Sequence, residues 1–353
     1  VTFPPLRDDL GDLEGYHSAQ VDVPVRLNTN ESPYAPPEAF VREWAEALAV
    51  LPLHRYPDRR ATALRATLAE FLGQPASRVF AATGSNEVLQ SLLLAYGGAG
   101  RTAAVFEPSY LLHAHIARVT GTTVVSAPRA DDFHVDLDAA RALLAEHRPA
   151  VTFLCSPNNP TGTVELRETV EALLDAAPGL LVVDEAYGEF ADWSALDLLA
   201  DDAPLVVVRT FSKVWSLAAV RLGFCVAPPQ VVGALDHVVL PYHLGAPAQL
   251  AGTLALPYRA EMDARVAAVV AERERLVAGM AGLDGIEVVP SGANFVLFRP
   301  PGQAAAVWQA LVERGVLVRD VSGVPGVEGR LRVTVGTPEE NDAFLGALKE
   351  VTT

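Results

Sequence analysis

Between residues 79 and 227 the chain alternates short apolar runs with longer amphipathic stretches. The runs are VFAAT (79–83), TAAVFE (102–107), TTVVSAP (122–128), VTFLCS (151–156), LLVVDEA (180–186), LVVVRTF (205–211) and RLGFCVA (221–227). Apolar runs of this length, bounded by turn residues, are the pattern of strands buried on both faces. Segments such as NEVLQSLLLAYG, YLLHAHIARVTG and DLDAARALLAEH lie between several of them, at the spacing of crossover helices. The expectation is an α/β fold with a mostly parallel, seven-stranded sheet covered by helices.

The flanks differ. Residues 1–35 are rich in Pro, Asp and Asn without a sustained period and read as an extended arm with local turns. Residues 36–72 turn helical, beginning with paired prolines and ending on Gly73 as a C-cap, with the kinked loop HRYPD between two helices. From about residue 247 to 283 apolar positions recur every three or four residues, which predicts a long amphipathic linking helix. Beyond it the pattern reads strand (IEVVPSGANFVLFR), helix (GQAAAVWQALVERG), strand (VLVRDV), strand (RLRVTVG), helix (PEENDAFLGALKE). The predicted organisation is therefore an arm (1–35), a large domain (36–245), and a linking helix with a small C-terminal domain (246–353).

Composition narrows the function classes. With 353 residues, half of them apolar, the chain can bury full cores without disulfides or metals. Forty-three acidic against 27 basic residues give a formal charge of -16, which repels a polyanionic backbone and argues against nucleic acid. An anionic substrate would need a local positive field from arginines and helix N-termini. Cys155 and Cys225 sit in apolar runs, with no spacing that suggests a zinc site or disulfide framework. No apolar run is long enough to span a bilayer, and no secretory signal is visible, so the cytoplasm is the expected location.

Candidate chemistry gathers at the ends of the apolar runs. Lys213 follows one such run and precedes VWSLAAV, with hydroxyls at Thr210 and Ser212 beside it and Arg221 closing the segment. Most lysines are solvated surface groups, but one set between buried runs loses solvation, and a lowered pKa is what an imine-forming amine requires. Asp184 ends LLVVD, where a carboxylate is costly unless paired, and a protonated ring nitrogen is a suitable partner. Tyr187 follows three residues on and could donate to a phenolate; a helix cap and a core aromatic are the plain alternatives for this pair. CSPNNPTG (155–162) offers Asn159 as a second donor, although spacing alone does not separate it from Asn158. In ATGSNEVLQ (82–90) Gly84 allows a tight bend, and Ser85 and Asn86 begin a helix whose first amides can receive phosphate. Tyr110 in FEPSYLLH could stack on a ring or simply fill the core. Tyr56 in HRYPD could reach a phosphate only if the fold or a second subunit brought that loop over the pocket. An amine, an acid, phenolate donors and a phosphate cradle are together the requirements of pyridoxal 5'-phosphate (PLP).

The set LNTNESPY, RYPD, GSNE, EPSY, SPNNPTG, VVDEAY, RTFSK followed by RLGF, and LRVTVGTPEEN resembles the fold-type I (class I and II) PLP-dependent aminotransferases over residues 26–348. The lysine segment and NPTG are shared across that family. RLNTNESPYAPP, RYPD and LRVTVGT are most similar to the members that act on histidinol phosphate. The resemblance implies that Lys213 carries PLP and moves the proton, Asp184 pairs with the ring nitrogen, Tyr187 and Asn159 contact the phenolate, and Tyr110 stacks on the ring. It further implies that Ser85, Thr210, Ser212 and Arg221 hold the phosphate beside the Gly84–Asn86 turn, with Tyr56 entering from the other subunit of a homodimer. Arg332 and Arg319 are the implied receptors for anionic substrate tails, with Tyr16 and Asn30 lining the same pocket. The implied reaction is transamination of L-histidinol phosphate with 2-oxoglutarate, giving imidazole-acetol phosphate and L-glutamate; an aromatic amino-acid (phenylalanine or tyrosine) aminotransferase is the rival. No metal is called for.

The chain departs from the family pattern in places. It reads Asn-Glu-Ser-Pro-Tyr where NENPY is usual, and His17, His113 and His115 stand close in sequence to implied pocket positions, which bears on substrate preference.

Overall fold

The computed structural model describes residues 3–352 except Asp12, Glu14 and residues 16–18. Twelve strands among the described residues form two sheets: β1 (Val25–Leu27), β2 (Val79–Ala82), β3 (Thr102–Glu107), β4 (Thr123–Pro128), β5 (Val151–Cys155), β6 (Leu180–Asp184), β7 (Leu205–Thr210), β8 (Gly223–Val226), β9 (Glu287–Val288), β10 (Phe295–Arg299), β11 (Val316–Asp320) and β12 (Leu331–Thr334). The seven apolar runs are strands β2 to β8, and they form one sheet in the order β2-β8-β7-β6-β5-β3-β4. It is parallel from β4 through β7, while β8 runs antiparallel to both its neighbours.

Side-chain alternation along these strands explains why the runs are apolar throughout. Phe153, Val182, Val206 and Val208 enter one core cluster, whereas Leu154, Leu181, Val183, Leu205 and Val207 enter another on the opposite face. Both faces are covered by helices, so neither set of positions tolerates polar residues. Register then places the functional ends side by side: Cys155 pairs with Asp184, and Asp184 with Val208. The carboxyl ends of parallel strands are where ligands bind in open α/β sheets.

The second sheet, in the order β1-β11-β12-β10-β9, belongs to the C-terminal half. Three local readings differ from expectation. β1 lies within the segment read as an arm and pairs parallel with β11. IEVVPSGANFVLFR is two strands, β9 and β10, because Pro290 and Gly292 interrupt the extended run. The linking helix is two helices, Ala246–Ala255 and Arg259–Ala281, separated by a 3-10 turn at Leu256–Tyr258 that contains Pro257. Proline cannot supply the amide an uninterrupted helix needs. Helix Pro338–Thr352 starts as its sequence demands: Glu340 accepts from the Thr337 amide at 2.8 Å while the Glu340 amide donates to the Thr337 hydroxyl at 3.2 Å, a reciprocal capping box.

One apolar cluster joins the halves, running from Phe211 and Phe224 of the large sheet to Phe295 and Val333 of the small one. Among the described residues no helix is long and apolar enough to cross a membrane, and no group of His, Cys, Asp and Glu could hold a metal ion.

Candidate active site

Lys213 lies in the loop that leaves β7. Phe211, Val214 and Trp215 anchor this loop in the core, and the Phe211 amide donates to the Leu222 carbonyl, so the segment doubles back into β8. Lys213 and Ser212 turn toward the cavity instead. Its Nζ donates to the Thr29 carbonyl at 3.1 Å and lies 5.5 Å from the centre of the Tyr187 ring. Burial, with Arg332 and Arg221 nearby, pushes the amine down to about 7, and Glu31 opposes the shift.

Asp184, the last residue of β6, is 1% exposed. One carboxylate oxygen accepts from the Ala186 amide at 3.1 Å, and the other stands 2.9 Å from His113 Nε2. An ionised carboxylate only accepts, so the imidazole donates. His113 is itself buried, stacked on Phe153 at 4.8 Å and met edge-on by Tyr110 at 5.4 Å. It stands behind the acid and does not line the cavity.

A cradle forms where β2 meets β8. Gly84 adopts φ 81° at the entry to helix Ser85–Tyr96, whose first-turn amides lack intrahelical acceptors. The backbone there is so close to β8 that a Cβ on Gly223 would lie 2.2 Å from the Ser85 amide nitrogen. Arg221 sits against Gly84 and donates to the Ser212 hydroxyl at 3.3 Å, and the Thr210 hydroxyl donates to Ser212 at 3.0 Å. Tyr110 donates to Asn86 Oδ1 at 3.2 Å.

The opposite wall comes from the small domain and the β1 segment. Tyr187 accepts from Asn30 Nδ2 at 2.9 Å, which leaves its own proton to donate. Burial pushes the Tyr187 phenol up to about 12, keeping that proton in place. Asn30 has φ 54°, and its Oδ1 accepts from Thr334 at 3.1 Å, so both ends of its side-chain amide are tied to the protein. Arg332 donates to Asn159 Oδ1 and, at 2.8 Å, to the Asn28 carbonyl.

These groups share one cavity of about 160 Å³, lined by Asn30, Ser85, Asn86, Tyr110, Asn159, Asp184, Tyr187, Thr210, Ser212, Lys213, Arg221 and Arg332, with Thr29, Cys155 and Ala186. A larger open groove of about 930 Å³, between Trp193 and Pro290, shares none of them. Gly84 stands behind the cavity as a backbone element. Arg319 lines an adjoining pocket of about 60 Å³ whose wall includes Tyr110, Asn159 and Arg332. Asn158 is buried outside the cavity, donating to the Pro108 carbonyl and Thr161, so Asn159 is the asparagine that faces in. Tyr56 is on the surface, stacked on Tyr242 at 4.4 Å. His115 lines a shallow surface depression with Glu87 and Gln90. Tyr16 and His17 lie outside the described residues. Sequence reading missed His113 as the partner of Asp184. A signal for it existed, since it follows the strand-end Tyr110 by one turn.

A neutralisable amine and a buried acid in one cavity, flanked by two arginines and hydroxyl donors, suit amine exchange on a phosphorylated carbonyl compound. A family model described as "Aminotransferase class I and II" matches residues 22–348. The chain belongs to the class I and II aminotransferases. A histidinol-phosphate aminotransferase of Thermobifida fusca is 50% identical over 355 residues, covering 99% of this chain and 95% of its own. That of Corynebacterium diphtheriae is 46% identical over 357 residues, covering 98% of this chain and 96% of its own. Among solved structures, the histidinol-phosphate aminotransferase of Sinorhizobium meliloti in complex with pyridoxal-5'-phosphate superposes with a TM-score of 0.85 at 26% identity, covering 94% of this chain and 91% of that one. The fold thus agrees with that of a relative of nearly the same length.

Proposed function

We propose that this aminotransferase works in the cytoplasm as a homodimer, holds PLP in the 160 Å³ cavity, and transfers the amino group of L-histidinol phosphate to 2-oxoglutarate. The products are imidazole-acetol phosphate and L-glutamate. The observation that carries the reading is that Lys213 and Asp184 line the same cavity, facing a wall that holds Arg332. Relatives 46% and 50% identical, both named histidinol-phosphate aminotransferase, support the substrate.

The residues fit the cofactor part by part. Ser85, Asn86, Thr210, Ser212 and Arg221 would receive its phosphate, Tyr187 and Asn159 its phenolic oxygen, and Asp184 its ring nitrogen; Tyr110 would cover the ring. When bound, PLP supplies an aldehyde for amine exchange and a ring that withdraws electrons from the substrate's α-carbon. Asp184 would keep the ring nitrogen of the cofactor protonated, and His113 holds the acid in place. Lys213, whose amine burial pushes down to about 7, would carry the proton that leaves the substrate's α-carbon. Arg332 and Arg319 meet carboxylate and phosphate tails with paired donors, with Asn30 holding Tyr187 beside them. Tyr56 of a second copy would complete the phosphate site, and Tyr16 the substrate side.

Steady-state transamination with 2-oxoglutarate tests the substrate. The reading expects kcat/KM for histidinol phosphate to exceed that for phenylalanine and tyrosine; a preference of roughly tenfold or more for phenylalanine would make the chain an aromatic amino-acid aminotransferase.

A further inference from the structure

Thr334 ends β12 two residues after Arg332 and lies behind Asn30, outside the cavity that Asn30 lines. Its hydroxyl makes two bonds to one residue. It accepts from the Asn30 backbone amide at 3.0 Å and donates to Asn30 Oδ1 at 3.1 Å. Asn30 Nδ2 in turn donates to the Tyr187 oxygen at 2.9 Å. All three residues are buried, so a proton left without an acceptor here is costly. The frame around them is fixed as well. Asn294 donates to the Asn30 carbonyl at 3.2 Å, and the Tyr187 ring meets Phe295, the cross-strand partner of Thr334, edge-on at 5.0 Å.

An asparagine amide can point either way, and its neighbours decide. A hydroxyl has one proton to give. Reversing the Asn30 amide would set its NH2 against the threonine oxygen, leave the threonine proton without that acceptor, and turn Oδ1 toward the phenol. Tyr187 would then donate to Asn30. In the observed direction the phenol oxygen accepts from the protein, and its proton is left for the cavity, which Tyr187 lines together with Lys213, Arg332, Asp184 and Cys155. We propose that Thr334 is a positioning residue that fixes the direction of the Asn30 amide and so makes the Tyr187 phenol a donor to the cofactor's phenolic oxygen. The threonine touches neither substrate nor cofactor and acts through two hydrogen bonds in series. Arg332, on the same strand, donates to Asn159 Oδ1 in the same sense, so β12 orients both asparagines of the site.

The inference rests on the cofactor reading above, and one experiment separates the two. The absorbance of the PLP-loaded enzyme is titrated against pH in wild type, Thr334→Ser, Thr334→Cys, Thr334→Val, Tyr187→Phe and the Thr334→Val/Tyr187→Phe double variant. A donor to the phenolic oxygen favours its anionic form, so losing that donor moves the midpoint to higher pH. Thr334→Val is expected to raise it by about one unit. Thr334→Ser keeps the hydroxyl and should leave the midpoint at the wild-type value, while the weakly donating thiol of Thr334→Cys should give an intermediate shift. In Tyr187→Phe there is no phenol left to direct, so adding Thr334→Val should move the midpoint no further. A wild-type midpoint in both Thr334→Val and Thr334→Cys, or an equal shift by Thr334→Val in the Tyr187→Phe background, would overturn this inference alone. A wild-type midpoint in Tyr187→Phe, or failure of the wild type to take up PLP, would overturn the cofactor reading beneath it.

Discussion

At the scale of single residues, the site works because groups that are costly to bury are paired in ways that prepare them for chemistry. Asp184 is tolerable at a strand end only because Ala186 and His113 supply donors. Among the described residues Lys213 has no carboxylate in contact and is held against a carbonyl, and burial drives it toward the neutral form at about 7. The linkage has a definite sign. Between about pH 7 and the ordinary value of 10.5 the unfolded chain binds a proton at Lys213 that the folded chain does not, so stability of the cofactor-free protein from this group rises with pH across that window and is lowest below it. Lys213→Met is therefore expected to abolish turnover yet stabilise the cofactor-free protein by about 1–3 kcal/mol at pH 7, with less gain at pH 10. Urea unfolding at the two pH values measures this, and equal destabilisation at both would contradict it.

Much of this scale was legible in sequence, and the gaps have physical causes. Lys213, Asp184 and the Ser85 turn were readable because strand ends before turns are local features. Asn158 and Asn159 were not separable, because which one faces the cavity depends on contacts to Pro108 and Thr161 that come from tertiary packing. His113 reads as a pocket histidine in sequence, and only the packing of its helix against β3 and β4, with its ring on Phe153, turns it behind Asp184.

At the scale of elements, strand β8 and the turn after β2 must come very close for the proposed phosphate cradle to form. β8 lies between β2 and β7 with its glycine against the Gly84–Ser85 backbone, and any side chain at that position would push the loop outward. Gly223→Ala is expected to lower stability by about 1–3 kcal/mol. It should also weaken PLP binding by roughly tenfold or more, because the amides at Ser85 and Asn86 are displaced. Calorimetric titration with PLP checks this, and wild-type affinity would contradict the placement of the cradle. The seven strands were readable from their apolar runs, but their order was not. Insertion of an antiparallel β8 between two others is decided by long-range packing, with no local signature. Pro257 and Pro290 did carry local signals, and the helix and strand they interrupt are shorter than periodicity alone suggests.

At the scale of the whole molecule, a chain of formal charge -16 gathers Lys213, Arg221 and Arg332 around one small cavity. That local field is what an anionic cofactor and anionic substrates require of an acidic protein. The exposed stack of Tyr56 on Tyr242 is an apolar surface that a second copy would cover. Light scattering should give twice the 37.5 kDa chain mass, and Tyr56→Ala should weaken PLP binding about tenfold or more without unfolding the chain. A monomer with full affinity for PLP would contradict the shared site.

The central claim is that one amine holds the cofactor. The chain has two lysines, Lys213 in the cavity and Lys349 on the surface of the last helix, so the bond can be assigned without ambiguity. Borohydride reduction of the PLP-loaded enzyme, followed by peptide mass spectrometry, should find the reduced cofactor fixed on Lys213. Attachment at Lys349 alone, or no attachment at all, would contradict it.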